Sequence, residues 1–218
     1  MTQVIIIGGH GKIALRLAKI LSDRGDKVTS VIRNDAQSDD VSATGAEPLL
    51  ADVEKLDTAG LASVLAGQDV VVWSAGAGGG SPERTYAVDR DAAIRSMDAA
   101  KAAGVDRYIM VSYFGAGPDH GVPEGDSFYA YAESKAEADK YLKKTDLEWT
   151  ILGPSALTDD PGTGRIDVTH KGDWTKGHTS RDNVAQVAAA VVVEPSTIGT
   201  FIEFNDGSTP IAEAIKPA

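Results

Sequence analysis

Tyr131 and Lys135 stand four residues apart in the stretch YAYAESKAEADKYL. On a helix, residues at i and i+4 share a face. An ammonium beside a phenol favours the phenolate and lowers its pKa, which would make Tyr131 a proton donor and acceptor near neutral pH. Ser112 follows the short apolar run Tyr108 to Val111 and offers a hydroxyl able to hold a carbonyl oxygen. Tyr129 and Tyr141 are rivals for the same role, and Tyr–Lys pairs at this spacing also occur on ordinary amphipathic helices. The chemistry that Ser112, Tyr131 and Lys135 fit together is proton transfer at a carbonyl.

A second constellation lies at the start of the chain, in VIIIGGHGKIA. Val4 to Ile7 is apolar and β-branched, as suits a strand buried on both faces. Gly8, Gly9 and Gly11 then turn the chain into a helical pattern carrying Ile13, Leu15, Leu17, Ala18 and Leu21. Such a turn lets backbone approach a ligand, and the helix start presents free N–H groups and the positive end of a dipole to a phosphate. Gly9-x-Gly11-x-x-Ala14 fits a dinucleotide fingerprint with Ala as the last small residue. Gly8-x-x-Gly11-x-x-Ala14 fits a looser form of it, and His10 sits inside the turn. Gly11-Lys12 suggests a P-loop, but Ile6 replaces the first P-loop glycine and Ile13 the magnesium-binding hydroxyl.

Other special residues fall at strand ends. Arg33, beside Asn34, closes the apolar run Val28 to Ile32, where an arginine suits the 2′-phosphate of NADP; Asp35 keeps NAD open. Asp52-Val53 can hold and cover an adenine, or Asp52 can cap the next helix. Ala75-Gly76 lets backbone lie along a bound cofactor, while Gly78 to Gly80 reads equally as a lid or a plain surface loop. Pro154 ends a later strand, Trp149 to Leu152, which Gly153-Pro154 should break.

These positions need a scaffold that gathers strand ends. Apolar runs alternate with helical patterns through most of the 218 residues, which argues for an α/β, doubly wound Rossmann fold with a mainly parallel sheet. Asp35 to Gly45 reads as a polar loop, Asp89 to Ala103 and Phe128 to Leu142 as helices, and Ser180 as the N-cap of a helix through Val193. A short strand fits Ile166 to Thr169. A single dinucleotide-binding domain over 1–218 is expected, with substrate-side elaboration around 153–180. The ligand crevice belongs at the carboxyl ends of the strands.

The totals set bounds. A net charge of −11 argues against a nucleic-acid surface. The absence of cysteine excludes disulfides and thiol chemistry. No signal peptide or membrane-spanning run is visible, so a cytoplasmic location away from membranes is expected. The four histidines, His10, His120, His170 and His178, lack metal-ligand spacing, so no metal is expected, and all but His10 read as surface residues. Ser74 is no hydrolase nucleophile, because Val72 replaces the first glycine of G-x-S-x-G.

The stretches IIIGGHGKIA, VIRN, ADV, VVWSAGAGG, AAKAAGVDRYIMVSYFGA, YAESKAEADKYL, WTILGPSALTDDPGTG and TSRDNVAQVAAAVV cover nearly the whole chain. Together they resemble the atypical short-chain dehydrogenases of the NAD(P)H-binding, epimerase/dehydratase-like group. The resemblance implies NADP in a groove lined by Gly8, Gly11, Lys12, Ile13, Arg33, Asp52 and Ala75. It also implies Ser112, Tyr131 and Lys135 as the catalytic set, with Lys135 also holding the cofactor ribose. The chain departs from the group at Tyr113, where relatives often have a second serine, and at Gly153, where they commonly have arginine. The resemblance implies an oxidoreductase or epimerase acting on a small carbonyl or sugar-like molecule, with specificity set by the loops Pro118 to Asp126 and Asp159 to His178. Two alternatives stay open: a sensor similar to NmrA-like regulators, and a flavin or biliverdin-type reductase that does without Tyr131.

Overall fold

A computed structural model describes residues 1–78, 81–169 and 177–216. Gly79, Gly80 and His170 lie outside the described residues, as does part of the loop Asp159 to His178.

The first strand, β1 (Gln3–Ile7), sets the layering. Val4, Ile5, Ile6 and Ile7 are all fully buried. Side chains alternate across a strand, so Val4 and Ile6 enter one core and Ile5 and Ile7 the other. The first core includes α1 (Lys12–Asp23) and α7 (Arg181–Val191). The second includes α3 (Thr58–Leu65), α5 (Ala93–Ala103) and α6 (Tyr129–Leu142). Burying one such aliphatic side chain contributes ~1.5–3 kcal/mol, which is why a wholly apolar run settles between two helical layers.

Around β1 lie β2 (Lys27–Ile32), β3 (Glu47–Leu50), β4 (Val70–Trp73), β5 (Arg107–Val111), β6 (Glu148–Pro154) and β10 (Thr200–Asp206). They run parallel in the order β3-β2-β1-β4-β5-β6-β10. Beyond β10, β8 (Arg165–Val168) and β11 (Thr209–Pro210) add an antiparallel edge. The strand order reverses between β1 and β4, so the crevice opens at their carboxyl ends. A separate parallel pair joins β7 (Ala156–Thr158) to β9 (His178–Ser180). The fold is thus the doubly wound α/β arrangement expected, and Ser180 caps α7 by accepting from the Asn183 amide at 3.0 Å.

Three local expectations are corrected. The polar stretch after Arg33 is no loop: a 3₁₀ turn over Asp35–Gln37 leads into α2 (Ser38–Ser42), anchored by buried Val41. The helix expected from Asp89 begins earlier, at α4 (Pro82–Thr85), and reaches α5 through a π-helical stretch, Tyr86–Ala92. Ser81 as N-cap and Pro82 at the first turn supply the start signal. Gly153-Pro154 does not break β6, which ladders with β10 through Pro154. A Cβ on Gly153 would lie 2.6 Å from the Phe201 ring, so the aromatic of β10 takes the space a side chain would need.

Arg107 fixes the opposite end of β5. It is buried, and it donates to the carbonyl oxygens of Glu148 and Val191, both at 2.6 Å, and to the Thr197 hydroxyl at 3.2 Å.

Candidate active site

A groove of about 280 Å³ opens at the reversal point. Its floor is the turn after β1. Gly8 has φ +84°, and a Cβ there would lie 2.6 Å from the Ala75 Cα, so β1 and β4 approach closely only because the residue is glycine. Gly11 caps α1 with no side chain, and the first turn of α1 carries no acidic residue. The Gly11 amide donates to Gly8 O at 2.9 Å. The helical amides open to an anion are therefore those of Lys12, Ile13 and Ala14 in the first turn. This is a cradle cleared of side chains, as a dinucleotide pyrophosphate requires.

Gly8, His10, Gly11, Arg33, Asp52, Val53, Ala75 and Gly76 line the groove. Gln37, Glu54, Ser74, Arg84 and Val88 line it too, and sequence reasoning missed them. Lys12, Ile13, Asn34, Lys135 and Pro154 are not among its lining residues. The Asn34 side chain turns back to accept from the Ala36 amide. The Lys12 ammonium donates to Asp159 at 2.8 Å, and Asp159 also meets Arg181 at 3.1 Å.

Arg33 is exposed and forms no ion pair among the described residues, whereas Arg84 pairs with Glu54 at 3.4 Å. His10 is held by Asp40 at 2.7 Å and Gln37 at 3.2 Å. Asp52 accepts from the Glu54 amide and pairs with Lys55, both at 3.2 Å. It does not cap α3; Asp57 does, accepting from the Gly60 amide at 2.8 Å. The wall after β4 is clamped from the helical side. Asp89 Oδ2 accepts from the Ala77 amide at 2.9 Å, and Arg84 donates to Ala77 O at 2.7 Å. A Cβ on Gly76 would meet Asp89 Oδ1 at 2.9 Å.

One strand over, Tyr131, Lys135 and Asp139 form an i, i+4, i+8 stripe on α6 that packs on the end of β5. The Lys135 ammonium donates to Val111 O at 2.8 Å and contacts Met110 Sδ at 3.1 Å. The Ser112 hydroxyl donates to Asp139 Oδ2 at 2.5 Å. Lys135, Asp139 and Asp89 are each 1% exposed. Burial raises the pKa of both carboxyls, opposed by Lys135 at Asp139 and by the Ala77 amide and then Lys135 at Asp89. Burial lowers the pKa of Lys135 against the pull of Asp139 and Asp89.

This geometry corrects the expected tuning of Tyr131. Burial, then Asp89, Asp139 and Tyr113, push its pKa well up, so the phenol is neutral and suited to donate a proton rather than to remove one. Its ring lies 5.6 Å from Tyr113 and 5.1 Å from Phe128. Burial pushes Tyr113 up to about 12. Of the rival tyrosines, Tyr141 donates to Asp98 on α5, and Tyr129 stacks edge-on with His120. His120 is not a surface residue: its side chain is 5% exposed and bonded to Glu133 at 2.8 Å. Among the described residues, no group of three or more His, Cys, Asp or Glu could hold a metal ion, and no helix is long and apolar enough to cross a membrane.

A family model described as NAD(P)H-binding matches residues 8–195. The chain is 34% identical to the uncharacterised sugar epimerase YhfK of Bacillus subtilis over 98% of its own length and 99% of the relative's. A protein of Bacillus halodurans, described as a candidate NAD-dependent epimerase/dehydratase, superposes with a TM-score of 0.90 at 30% identity, covering 99% of each chain. The oxidoreductase ylbE of Lactococcus lactis gives 0.84 at 29% identity, covering 97% of this chain and 94% of its own.

Proposed function

From its membership of the NAD(P)H-binding family, to which this chain belongs, we propose that it is an NADP-dependent oxidoreductase or epimerase-like enzyme acting on a small carbonyl or sugar-like substrate. One observation carries this reading. Just behind the groove wall at Gly76, a buried cluster of Asp89, Lys135 and Asp139 is tied to the Ala77 amide at one end and to the Ser112 hydroxyl at the other, with Lys135 acting on both carboxyls through its charge. A protein that only sensed the cofactor would have no use for buried ionisable groups at that end.

Gly8 and Gly11 clear the space for the pyrophosphate, and the Lys12 and Ile13 amides hold it. Arg33 meets the 2′-phosphate, while Asp52 and Val53 hold the adenine. When bound, the cofactor supplies or accepts hydride. Ser112 orients the substrate oxygen and Tyr131 donates a proton to it. Lys135, buried behind them and bonded to Val111 O, offsets Asp139 and Asp89 by its charge rather than activating Tyr131 directly. The shared family with YhfK supports a sugar-like substrate as one member of the class.

The test is to mix the purified protein with NADPH and a panel of small aldehydes, ketones and nucleotide sugars. Cofactor oxidation and epimer formation are followed together. Turnover that survives in Tyr131→Phe and Ser112→Ala would remove both residues from the mechanism.

A further inference from the structure

We propose that Asp139 is a positioning residue that stores one proton in the resting protein and passes it through Ser112 Oγ to the substrate oxygen. The proposal deepens the carbonyl reading above, because the relay ends at that site.

The charge count leads to it. Asp89, Lys135 and Asp139 are all 1% exposed. With both carboxyls ionised and Lys135 cationic, the cluster would hold one uncompensated negative charge away from water. Buried charge of that kind is neutralised by binding a proton instead. The surrounding groups do not supply the missing cation. Asp139 faces Ser112 from β5, Lys135 and Lys143 from its own helical segment, and the phenols of Tyr113 and Tyr131. Asp89 faces the Ala77 amide, Arg84, Lys135 and Tyr131. Arg84 is already shared with Glu54 and Ala77 O, and the side chain of Lys143 lies over the Phe201 ring.

Partner chemistry decides which carboxyl holds the proton. The partner of Asp89 is a backbone N–H, which can only donate and so favours a carboxylate. The partner of Asp139 is a hydroxyl, which can donate or accept. Only the hydroxyl sets Asp139 apart, because the remaining oxygen of each carboxyl, Asp89 Oδ1 and Asp139 Oδ1, is buried without a hydrogen-bond partner among the described residues. That is a poor setting for an anion and a tolerable one for the carbonyl of a neutral acid. With Asp139 protonated, the 2.5 Å contact to Ser112 reverses: the acid donates to Oγ, and the Ser112 hydrogen is freed for the substrate.

The step balances. Hydride from the reduced nicotinamide dinucleotide adds to the carbonyl carbon, oxidising the cofactor. The Ser112 O–H breaks towards the substrate oxygen as the Asp139 O–H breaks towards Ser112 Oγ. Asp139 is left as a carboxylate beside Lys135, with the Ser112 hydroxyl donating to it. The Tyr131 phenol and the Ser112–Asp139 pair then share the delivery of this one proton to the same oxygen, so that losing either slows the step.

Infrared difference spectroscopy of the ligand-free protein reads the stored proton directly. A carbonyl stretch of a buried protonated carboxyl is expected at neutral pH. It should vanish in Asp139→Asn and move to higher frequency in Ser112→Ala, where the acid loses its acceptor. It should also vanish in Asp89→Asn, because Lys135 then balances a single ionised Asp139. A purely structural Asp139 predicts none of these. Absence of the band in the wild type, or a band indifferent to Ser112→Ala, overturns the store and leaves the carbonyl reading standing. With diacetyl and NADPH as the probe pair, Asp139→Asn should lower kcat by about tenfold to a hundredfold or more, as for a lost proton donor. It should also remove the fall in kcat as pH rises. Wild-type kcat and pH profile in Asp139→Asn overturns the relay, whatever the spectra show.

Discussion

Replacing Arg33 with alanine should cost NADPH binding and leave NADH binding nearly untouched. Arg33 sits on the rim of the groove at the end of β2, exposed and without an ion pair among the described residues, so no internal partner must be given up. A 2′-phosphate carries a charge of about −1.5 to −2 at neutral pH. At ~4 Å in a medium close to bulk water each unit of charge contributes ~1 kcal/mol. The contact is thus worth roughly 1.5–2 kcal/mol, or about ten- to thirtyfold in affinity. Exposure and physiological salt push the figure towards the lower end. The carboxylates of Asp52 and Glu54 also line the groove, and they work against the phosphate. Glu54 is partly answered by Arg84. Calorimetric titration of wild type and Arg33→Ala with NADPH and NADH, at low and high salt, measures the difference. The NADPH advantage should shrink with salt in the wild type and be nearly flat in the variant. A wild-type preference for NADH, or equal loss for both cofactors in Arg33→Ala, refutes the assignment.

Gly11→Val should leave the protein folded, because Gly11 has φ −63° and an added Cβ is tight only against the Gly8 carbonyl oxygen, at 3.2 Å, with Ser74 O and Ala14 Cβ at ordinary contact distances of 3.8 and 3.9 Å; calorimetry should show NADPH binding lost. Gly8→Ala should instead lower stability by more than the ~1–2 kcal/mol of a left-handed residue, since the new Cβ also collides with Ala75 backbone; thermal unfolding checks it. Tyr131→Phe should cut kcat by ~10²-fold with cofactor affinity unchanged, and full activity would favour a flavin-type reductase. Burial raises the pKa of Asp139 in the folded state, so its contribution is fully present below the unfolded carboxylate range and is lost as pH rises through the folded value. Melting temperatures of Asp139→Asn and wild type should therefore diverge in favour of the variant as pH is raised from acidic to neutral.

The parallel sheet and the first contacts of the groove were readable because strand ends announce themselves. An apolar run stops, and a Gly, Arg, Asp or small Ala follows at Gly8, Arg33, Asp52 and Ala75. Gln37 and Arg84 gave no such signal, since they reach the groove from helical segments whose approach is set by tertiary packing. The start of α4 is written in Ser81-Pro82, but the glycine run before it masks that signal and shifts the expected start from Pro82 to Asp89. Asp139 had a visible signal that went unused: with Tyr131 and Lys135 it makes a polar stripe on a helix face otherwise filled with alanine. A polar stripe of that kind belongs to solvent or to chemistry, and the Tyr131–Lys135 spacing draws the eye away from the third member. Gly153 could not be explained along the chain, because the ring that excludes a side chain belongs to Phe201 on a neighbouring strand.

Arg107 gives the molecule a stiff end and a plastic one. Its guanidinium bolts β5 to β6, to the end of α7 and to the turn at Thr197, all at the edge of the sheet away from Ser112. Mechanical load from loop rearrangement at the carboxyl edge therefore meets a fixed anchorage at the amino edge. Insertions or exchanges in 115–126 should alter which molecule is accepted without loosening the sheet beneath, whereas 159–178 includes β8 of the sheet itself. Such a division lets one chassis be refitted for new substrates by changing only its mouth, with Arg107 as the pin that must stay.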